Sequence, residues 1–331
     1  MLLPIRWAVP TFVSQSDAGR PLLKWAGGKR QLLPDIRAHY PTVFRRYLEP
    51  FLGSGAVFFD LAGSGRLDGH DVLLSDCNDA LIGCYQAVRD EPDAVIAALG
   101  DLAASHAARE GFYYEVRDER FNPARAAGVA PADPAMAAMF IYLNRTGFNG
   151  LFRVNRQGAF NVPAGRYAQP RICDASRVHQ VSRLLRAPGV RVEVAAFDAQ
   201  IDQAGPGDFI YCDPPYAPLS NTARFAQYTA GGFGERDQRH LQERLVAASR
   251  RGAHIVLSNS SAPLILDLFG TGTAADAGLL LRRIPARRAI NSRAASRGPV
   301  DEVLVVSRAL AVAQIAPPAP AAARPAARRS A

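Results

Sequence analysis

YLEPFLGSGAVFFDL, Tyr47 to Leu61, is the stretch on which the fold turns. An apolar run over residues 46–51 enters Gly53-Ser54-Gly55, and a helical pattern follows over residues 57–61. Glycines at a strand-to-helix turn let backbone and ligand approach closely. Asp76 ends the next apolar run, residues 72–74, and lies 23 positions after Gly53. An acid at about that distance suits hydrogen bonding to ribose hydroxyls. A tight bend would explain Gly-x-Gly alone. The third glycine of a dinucleotide fingerprint is missing, because position 58 is Phe. No second phosphate-binding turn is evident. The turn therefore points away from a dinucleotide and toward a nucleoside cofactor without phosphates, such as S-adenosylmethionine.

Outward from this turn, strands alternate with helices. The run at 192–194 ends near Asp198, the run at 208–212 ends at Asp213, and the run at 254–257 ends at Ser258 and Asn259. A helical pattern at 238–248 separates the last two. Strand-then-helix order argues for a parallel sheet, and open α/β sheets bind ligands at the strands' carboxyl ends. The alternation stops between about Tyr85 and Arg177. That stretch is Ala-rich and helical in pattern, then carries TGFNGLFRVNRQGAFNVPAGRY, residues 146–167. Residues 152–154 and 159–162 flank Asn155-Arg156-Gln157-Gly158, which predicts a β-hairpin. Residues 279–284 and 303–306 read as two further strands joined by a basic segment.

The expected organisation is a flexible leader (1–20), a discontinuous catalytic domain (21–84 and 177–307), a target-recognition insertion (85–176) and an Ala/Pro/Arg tail (308–331) too simple to bury a core.

Composition closes off other classes. The 331 residues are 48% hydrophobic and 21% charged, ordinary globular usage that excludes a disordered or collagen-like chain. No uninterrupted apolar stretch of about 18 residues exists to span a membrane. The net charge is +9, and only two of the 39 basic residues are lysine, Lys24 and Lys29. Writing nearly every cation as Arg suggests that these two positions need an ammonium. Residues 282–297 hold six Arg and no acid, which favours a polyanion, nucleic acid first. Cys77, Cys84, Cys173 and Cys212 form no C-x-x-C pair, and no His sits at metal-ligand spacing. No disulfide framework or metal site is expected, and a reducing cytoplasm fits.

Two motifs carry chemistry. GDFIYCDPPYAPLS, residues 207–220, ends a strand at Asp213, followed by Pro214, Pro215 and Tyr216. The prolines fix φ and remove two N–H donors, leaving rigid carbonyl acceptors beside a carboxylate. A flat exocyclic amine, on adenine or cytosine, finds two acceptors and an aromatic face. KWAGGK, residues 24–29, lacks the spacing of a phosphate loop. It reads as a cofactor clamp, with Trp25 and the glycine backbone as walls and Lys29 as a cation for a carboxylate.

KWAGGK, EPFLGSGAVF, SDCND, YLNRTGFNGLFRVN, GAFNVPAGRY and YCDPPYAPLS occur in that order. In this the chain resembles the Dam-type (D12 class) DNA adenine-N6 methyltransferases from about Pro21 to Val306. The resemblance implies a class I S-adenosylmethionine-dependent fold: an α/β, Rossmann-like mixed sheet flanked by helices, with an inserted helical recognition domain carrying a hairpin. It implies cofactor contacts at Trp25, Lys29, Phe51, Gly53, Gly55, Asp76, Asp198 and Asp213. It implies that Asp213, Pro214, Pro215 and Tyr216 hold a flipped adenine. DNA contacts follow at Lys24, Phe148, Asn149, Leu151, Arg153, Pro163 and Tyr167, with Phe148 as an aromatic wedge where the best-known member has Tyr. The implied partner is double-stranded DNA bound by a monomer, with GATC as the target. Cytosine-N4 methylation, methylation of RNA or of protein glutamine, and a non-catalytic DNA-binding role on the same fold are the competing readings.

Overall fold

The computed structural model describes residues 19–25, 29, 31–219, 232–287 and 299–308. The leader up to residue 18, residues 26–28 and 30 of the lysine loop, residues 220–231 from the end of the Asp-Pro-Pro-Tyr stretch, residues 288–298 of the arginine segment and the tail from 309 lie outside the described residues. Seven strands are described: β1 (Arg46–Glu49), β2 (Asp71–Asp76), β3 (Val190–Val194), β4 (Phe209–Cys212), β5 (His254–Ser260), β6 (Leu279–Arg287) and β7 (Pro299–Ser307). They form one sheet in the order β3-β2-β1-β4-β5-β7-β6. Strands β1 to β5 run parallel, and β7 runs antiparallel between β5 and β6. This is the mixed sheet of the class I methyltransferase fold.

Strand period sets the two cores. Tyr47, Phe209, Tyr211, Val256, Leu304 and Val306 point to one face, where α1 (Ala56–Gly63), α2 (Asp79–Asp90) and α5 (Ala175–Leu185) cover them. Leu48, Ile210, Cys212, Ile255, Leu257 and Val305, each one position out of phase, point to the other face. There α6 (Glu235–Arg250) and α7 (Pro263–Gly270) cover them. Only Val192 of β3 is buried, as suits an edge strand. Caps fix where helices begin. Asn78 accepts from the Leu81 amide at 3.2 Å, opening α2 directly after the turn that follows Asp76.

Between α2 and α5 come α3 (Pro92–Ala108), short helical turns at 112–126, and α4 (Pro134–Thr146). Phe112, Phe121, Met136, Phe140 and Tyr142 continue the first core without a break. The expected hairpin forms with sparse pairing. Residues 146–167 double back, but pairing is limited to isolated bridges, Val154 with Phe160 and Gly147 with Ala164, rather than two strands. The Asn155 amide donates to the Ala159 carbonyl at 2.8 Å and closes the tip. The Gly158, Phe160 and Val162 carbonyls go to side chains of the helical segment, so the cross-arm backbone bonds, such as Asn161 amide to Arg153 O at 3.1 Å and Phe148 amide to Pro163 O at 2.9 Å, stay too scattered for a continuous ladder.

Candidate active site

Strands β1 and β4 are neighbours, and the chain leaves them toward opposite edges of the sheet. Their carboxyl ends therefore border the crevice where such sheets bind ligands. The glycine turn follows β1 and Asp213 follows β4.

At the first end, Gly53 and Gly55 have φ of +48° and +66°, a region that β-carbon-bearing residues rarely occupy. A Cβ at Gly53 would stand 3.0 Å from Trp25 Cδ1, so the indole lies against the bare backbone. The Gly53 amide donates to Asp76 Oδ2 at 3.1 Å, and the Asn78 amide donates to Asp76 Oδ1 at 3.0 Å. Burial raises the Asp76 carboxyl above its ordinary value, against the pull of these amides. Phe51 stacks on Phe197 at 5.3 Å, and Phe233 meets Phe51 edge-on at 5.6 Å. Asp198 accepts from His240 at 3.3 Å, a contact that holds its carboxyl below the usual range.

At the second end, Asp213 Oδ1 takes two donors: Lys29 Nζ at 2.7 Å and Ser258 Oγ at 3.0 Å. Burial pushes the Asp213 carboxyl up, Lys29 and Ser258 pull it down, and the net direction is upward. Lys29 is 4% exposed and its ammonium also stands 4.5 Å from the centre of the Tyr216 ring. The expected carboxylate clamp thus sits against the Asp-Pro-Pro-Tyr motif. The Tyr216 hydroxyl donates to Glu302 at 2.7 Å, which anchors the ring from β7. The two proline carbonyls differ. Pro215 O accepts from Gln238 Nε2 at 2.8 Å, whereas no described residue donates to Pro214 O or to Asp213 Oδ2. Asn259 donates to Gln238 Oε1 at 3.1 Å and accepts from the Ala217 amide at 3.2 Å, fixing the loop after the motif. Cys212 is fully buried and its thiol is pushed far up by that burial, so it packs and does not attack.

Sequence reasoning missed Ser258, Gln238, Asn259, Glu302, Phe197 and His240. Only Ser258 and Asn259 carried a signal, as polar residues ending a strand. Glu49 was also missed. It is 2% exposed and accepts from the Tyr47 hydroxyl at 2.7 Å and the Phe58 amide at 3.1 Å. Burial lifts its carboxyl to about 8. A carboxyl raised on folding contributes its full stability below its unfolded value and loses it as pH climbs through the folded value. Wild type should therefore lose on the order of a few kcal/mol from this group between about pH 5 and pH 8. Glu49→Gln should flatten that slope in urea midpoints measured at pH 6 and pH 9; an unchanged slope would contradict it.

The residues expected at DNA lie on the excursion beside this site. Phe148 is 48% exposed, and Asn149 next to it holds φ at +54°. Leu151 is half-buried, while Arg153, Pro163 and Tyr167 are exposed. Lys24 Nζ stands 4.1 Å from the Tyr167 ring centre, and its backbone is pinned by Asn144, whose Oδ1 accepts from the Lys24 amide at 2.9 Å. Arg153 Nε donates to Asn161 Oδ1 at 2.8 Å. Among the described residues no cluster of His, Cys, Asp or Glu could hold a metal, and no helix is long and apolar enough to cross a membrane.

Comparison with known proteins agrees with this geometry. A Type II methyltransferase of Lactococcus lactis subsp. cremoris is 35% identical over 288 residues, 87% of this chain and 95% of the relative. A Type II methyltransferase of Methanocaldococcus jannaschii is 36% identical over 299 residues, 87% of this chain and 99% of the relative. The DNA adenine methylase of Escherichia coli K12 is 35% identical over 288 residues, 87% of this chain and 95% of that protein. The family profile of D12 class N6 adenine-specific DNA methyltransferases matches residues 25–278. With Asp-Pro-Pro-Tyr at the carboxyl end of β4 and the glycine turn at that of β1, the chain belongs to the D12 class of N6 adenine-specific DNA methyltransferases.

Proposed function

We propose that the enzyme takes its methyl group from S-adenosylmethionine and delivers it to an adenine flipped out of double-stranded DNA at GATC. The observation that carries this reading is the pair of acceptors, Asp213 Oδ2 and Pro214 O, that take no donor from the described residues and lie in the motif with the Tyr216 ring. An exocyclic amine presents two N–H groups to two such acceptors.

The first end fits the cofactor. The Gly53 backbone with the Trp25 indole packed on it forms one wall, and Asp76 offers a carboxylate for ribose hydroxyls. Phe51 and Phe197 offer an aromatic pair for a purine, Asp198 follows Phe197 in the chain, and Gly55 completes the turn after Phe51. When bound, S-adenosylmethionine supplies a methyl carbon made electrophilic by its sulfonium, and the sulfur departs with the bonding pair. Lys29 then has a second carboxylate, that of the methionine end, to pair with besides Asp213.

The chain's residues do the rest by positioning and electrostatics. Arginines and Lys24 hold phosphates, with strong salt dependence. Phe148 fills the stack as the adenine leaves, at a cost of a few kcal/mol. Tyr216 stacks the base. Asp213 and the Pro214 carbonyl accept the N6 hydrogens and draw the nitrogen lone pair out of ring conjugation, toward the methyl carbon. The N6–C bond forms, and the surplus proton passes from N6 to the acceptors and on to solvent. Pro215 holds Pro214 in the extended region, which keeps the Pro214 carbonyl aimed. Asn149, Leu151, Pro163 and Tyr167 shape the DNA-facing surface, and Arg153 suits a guanine edge in the major groove.

In this reading residues 85–176 recognise the target, residues 21–84 and 177–307 carry the transfer, and a cytoplasmic monomer acts on duplex DNA. The segment 146–167 resembles members that methylate GATC, which supports that tetranucleotide.

The test is incubation of unmethylated plasmid with the protein and S-adenosylmethionine. Nucleosides are then read by mass spectrometry, and the plasmid is challenged with a GATC-cutting nuclease. N6-methyladenine with protection is the expected result. N6-methyladenine without protection overturns the site, and N4-methylcytosine overturns the base.

A further inference from the structure

Along the returning arm of the excursion, alternate residues are held by side chains of the helical segment 113–125. Arg125 Nη1 donates to Gly158 O at 3.0 Å. Asn122 Nδ2 donates to Phe160 O at 2.9 Å, and the Phe160 amide donates back to Asn122 Oδ1 at 2.8 Å. Arg117 Nη1 and the Tyr113 hydroxyl both donate to Val162 O at 2.9 Å. Positions 158, 160 and 162 thus meet a row of side chains as they would meet a neighbouring strand, and Asn122 makes the reciprocal pair of a ladder. Phe160 and Val162 are buried beneath this row.

Asn161, between two of these clamps, is half-buried, and Pro163, after the last of them, is exposed. Asn161 accepts from Arg153 Nε at 2.8 Å, and its amide donates to Arg153 O at 3.1 Å. Pro163 O accepts from the Phe148 amide at 2.9 Å. Arg153, through its side chain and carbonyl, and Phe148, through its amide, are therefore tied to the returning arm at 161 and 163. Because side-chain direction alternates along an extended arm, a one-residue slip would turn both the wrong way.

We propose that Asn122, with Arg117 and Arg125, is a positioning residue for sequence discrimination: a helical rail that fixes the register of the arm from which Arg153 and Phe148 are hung. This rests on the reading that the excursion contacts DNA.

The experiment uses duplexes carrying the site methylated in plasmid, and duplexes with one base pair of it changed. Asn122→Ala removes the reciprocal pair. Its ratio of kcat/KM on the intact site to that on changed sites should fall about tenfold, which corresponds to about 1.4 kcal/mol. KM for DNA should rise, while kcat at saturating DNA stays within about threefold. Asn122→Asp, which keeps the acceptor for the Phe160 amide, should recover part of the ratio. An unchanged ratio overturns the proposal. So does an equal fall of kcat on every duplex, the mark of a merely structural role. If Asn122→Ala is unfolded by thermal melting, Arg125→Ala, altered at an exposed contact, decides in its place by the same ratio. Arg153→Ala separates the two readings. If it leaves discrimination unchanged, DNA reading by the excursion fails; if it lowers discrimination and the rail variants do not, the rail alone fails.

Discussion

Asp213→Ala should abolish methylation and leave DNA binding within a few-fold of wild type. The loss in kcat should be at least about 10³-fold, the scale set by removing a group aimed at charge that develops in the transition state. Asp213 Oδ2 takes no donor from the described residues, and Ser258 and Lys29, which both donate to its other oxygen, cannot take its place as acceptor. The substitution also strips a 4% exposed ammonium of a partner, so a melting curve belongs with the rate. Asp213→Asn keeps the shape and one carbonyl acceptor but removes the charge. It should lose less, on the order of 10²-fold. Retained activity in Asp213→Ala would remove the carboxylate from the mechanism.

The same carboxyl predicts a pH profile. It accepts from the amine only when ionised. Burial raises its value above the ordinary aspartate range, with Lys29 and Ser258 opposing and Glu302 adding to the rise. Activity therefore falls as pH drops through that raised value, and the acid limb of kcat/KM lies above where an exposed aspartate would put it. A limb at the ordinary value would mean that the group titrating is not Asp213.

Local pattern carried much of this in the sequence. Short apolar runs ending in Asp76, Asp213 and Ser258 showed strands with polar carboxyl ends, and the structure lengthens the first and last by a few residues and starts the middle one a residue later. Even β3 was visible, although a single buried valine makes its pattern weak. The doubling back at 146–167 was visible too, because Asn-Arg-Gln-Gly is turn chemistry that acts within a few residues. Its failure to become two strands was not. The competing partners, Tyr113, Arg117, Asn122 and Arg125, belong to a helical segment whose spacing says nothing about where its polar ends reach. Lys29 shows the same limit. Its motif marks a cation near the site, but its pairing with Asp213 joins positions far apart in the chain. The support shell of Gln238, Asn259 and Glu302 assembles only when α6, β5 and β7 converge on one loop.

Asp208→Ala should cost about 3 kcal/mol of stability, with little change in the activity of the folded fraction. Asp208 is wholly buried at the start of β4, and two arginines grip it two-handed. Arg45 Nε and Nη2 each donate at 3.0 Å; Arg46 Nε donates at 3.1 Å and Nη2 at 2.7 Å; the Gly205 amide adds a fifth bond at 2.9 Å. This cluster bolts the amino ends of β1 and β4 together, while their carboxyl ends hold the glycine turn and Asp213. Burial alone would raise the carboxyl, but the hydrogen bonds from Arg46 and Arg45 outweigh it and hold the value below the usual range. A carboxyl depressed on folding contributes stability above its unfolded value and loses it as pH falls through the folded one. Wild type should therefore shed this contribution in acid, and Asp208→Asn, which never ionises, should not. Arg45 is more than half exposed and can turn to water when its partner goes, which keeps the cost below that of a fully buried triad. In a chain of this length the expected fall in Tm at pH 7 is roughly 5 °C. The distance along β4 from Asp208 to Asp213, five steps of extended chain at about 3.3 Å each, places the damage well away from the transfer chemistry. An unchanged Tm would show that the arginine clamp adds nothing net. A fall in kcat of folded protein as large as that of Asp213→Ala would show that the amino ends of the strands set the geometry at their carboxyl ends.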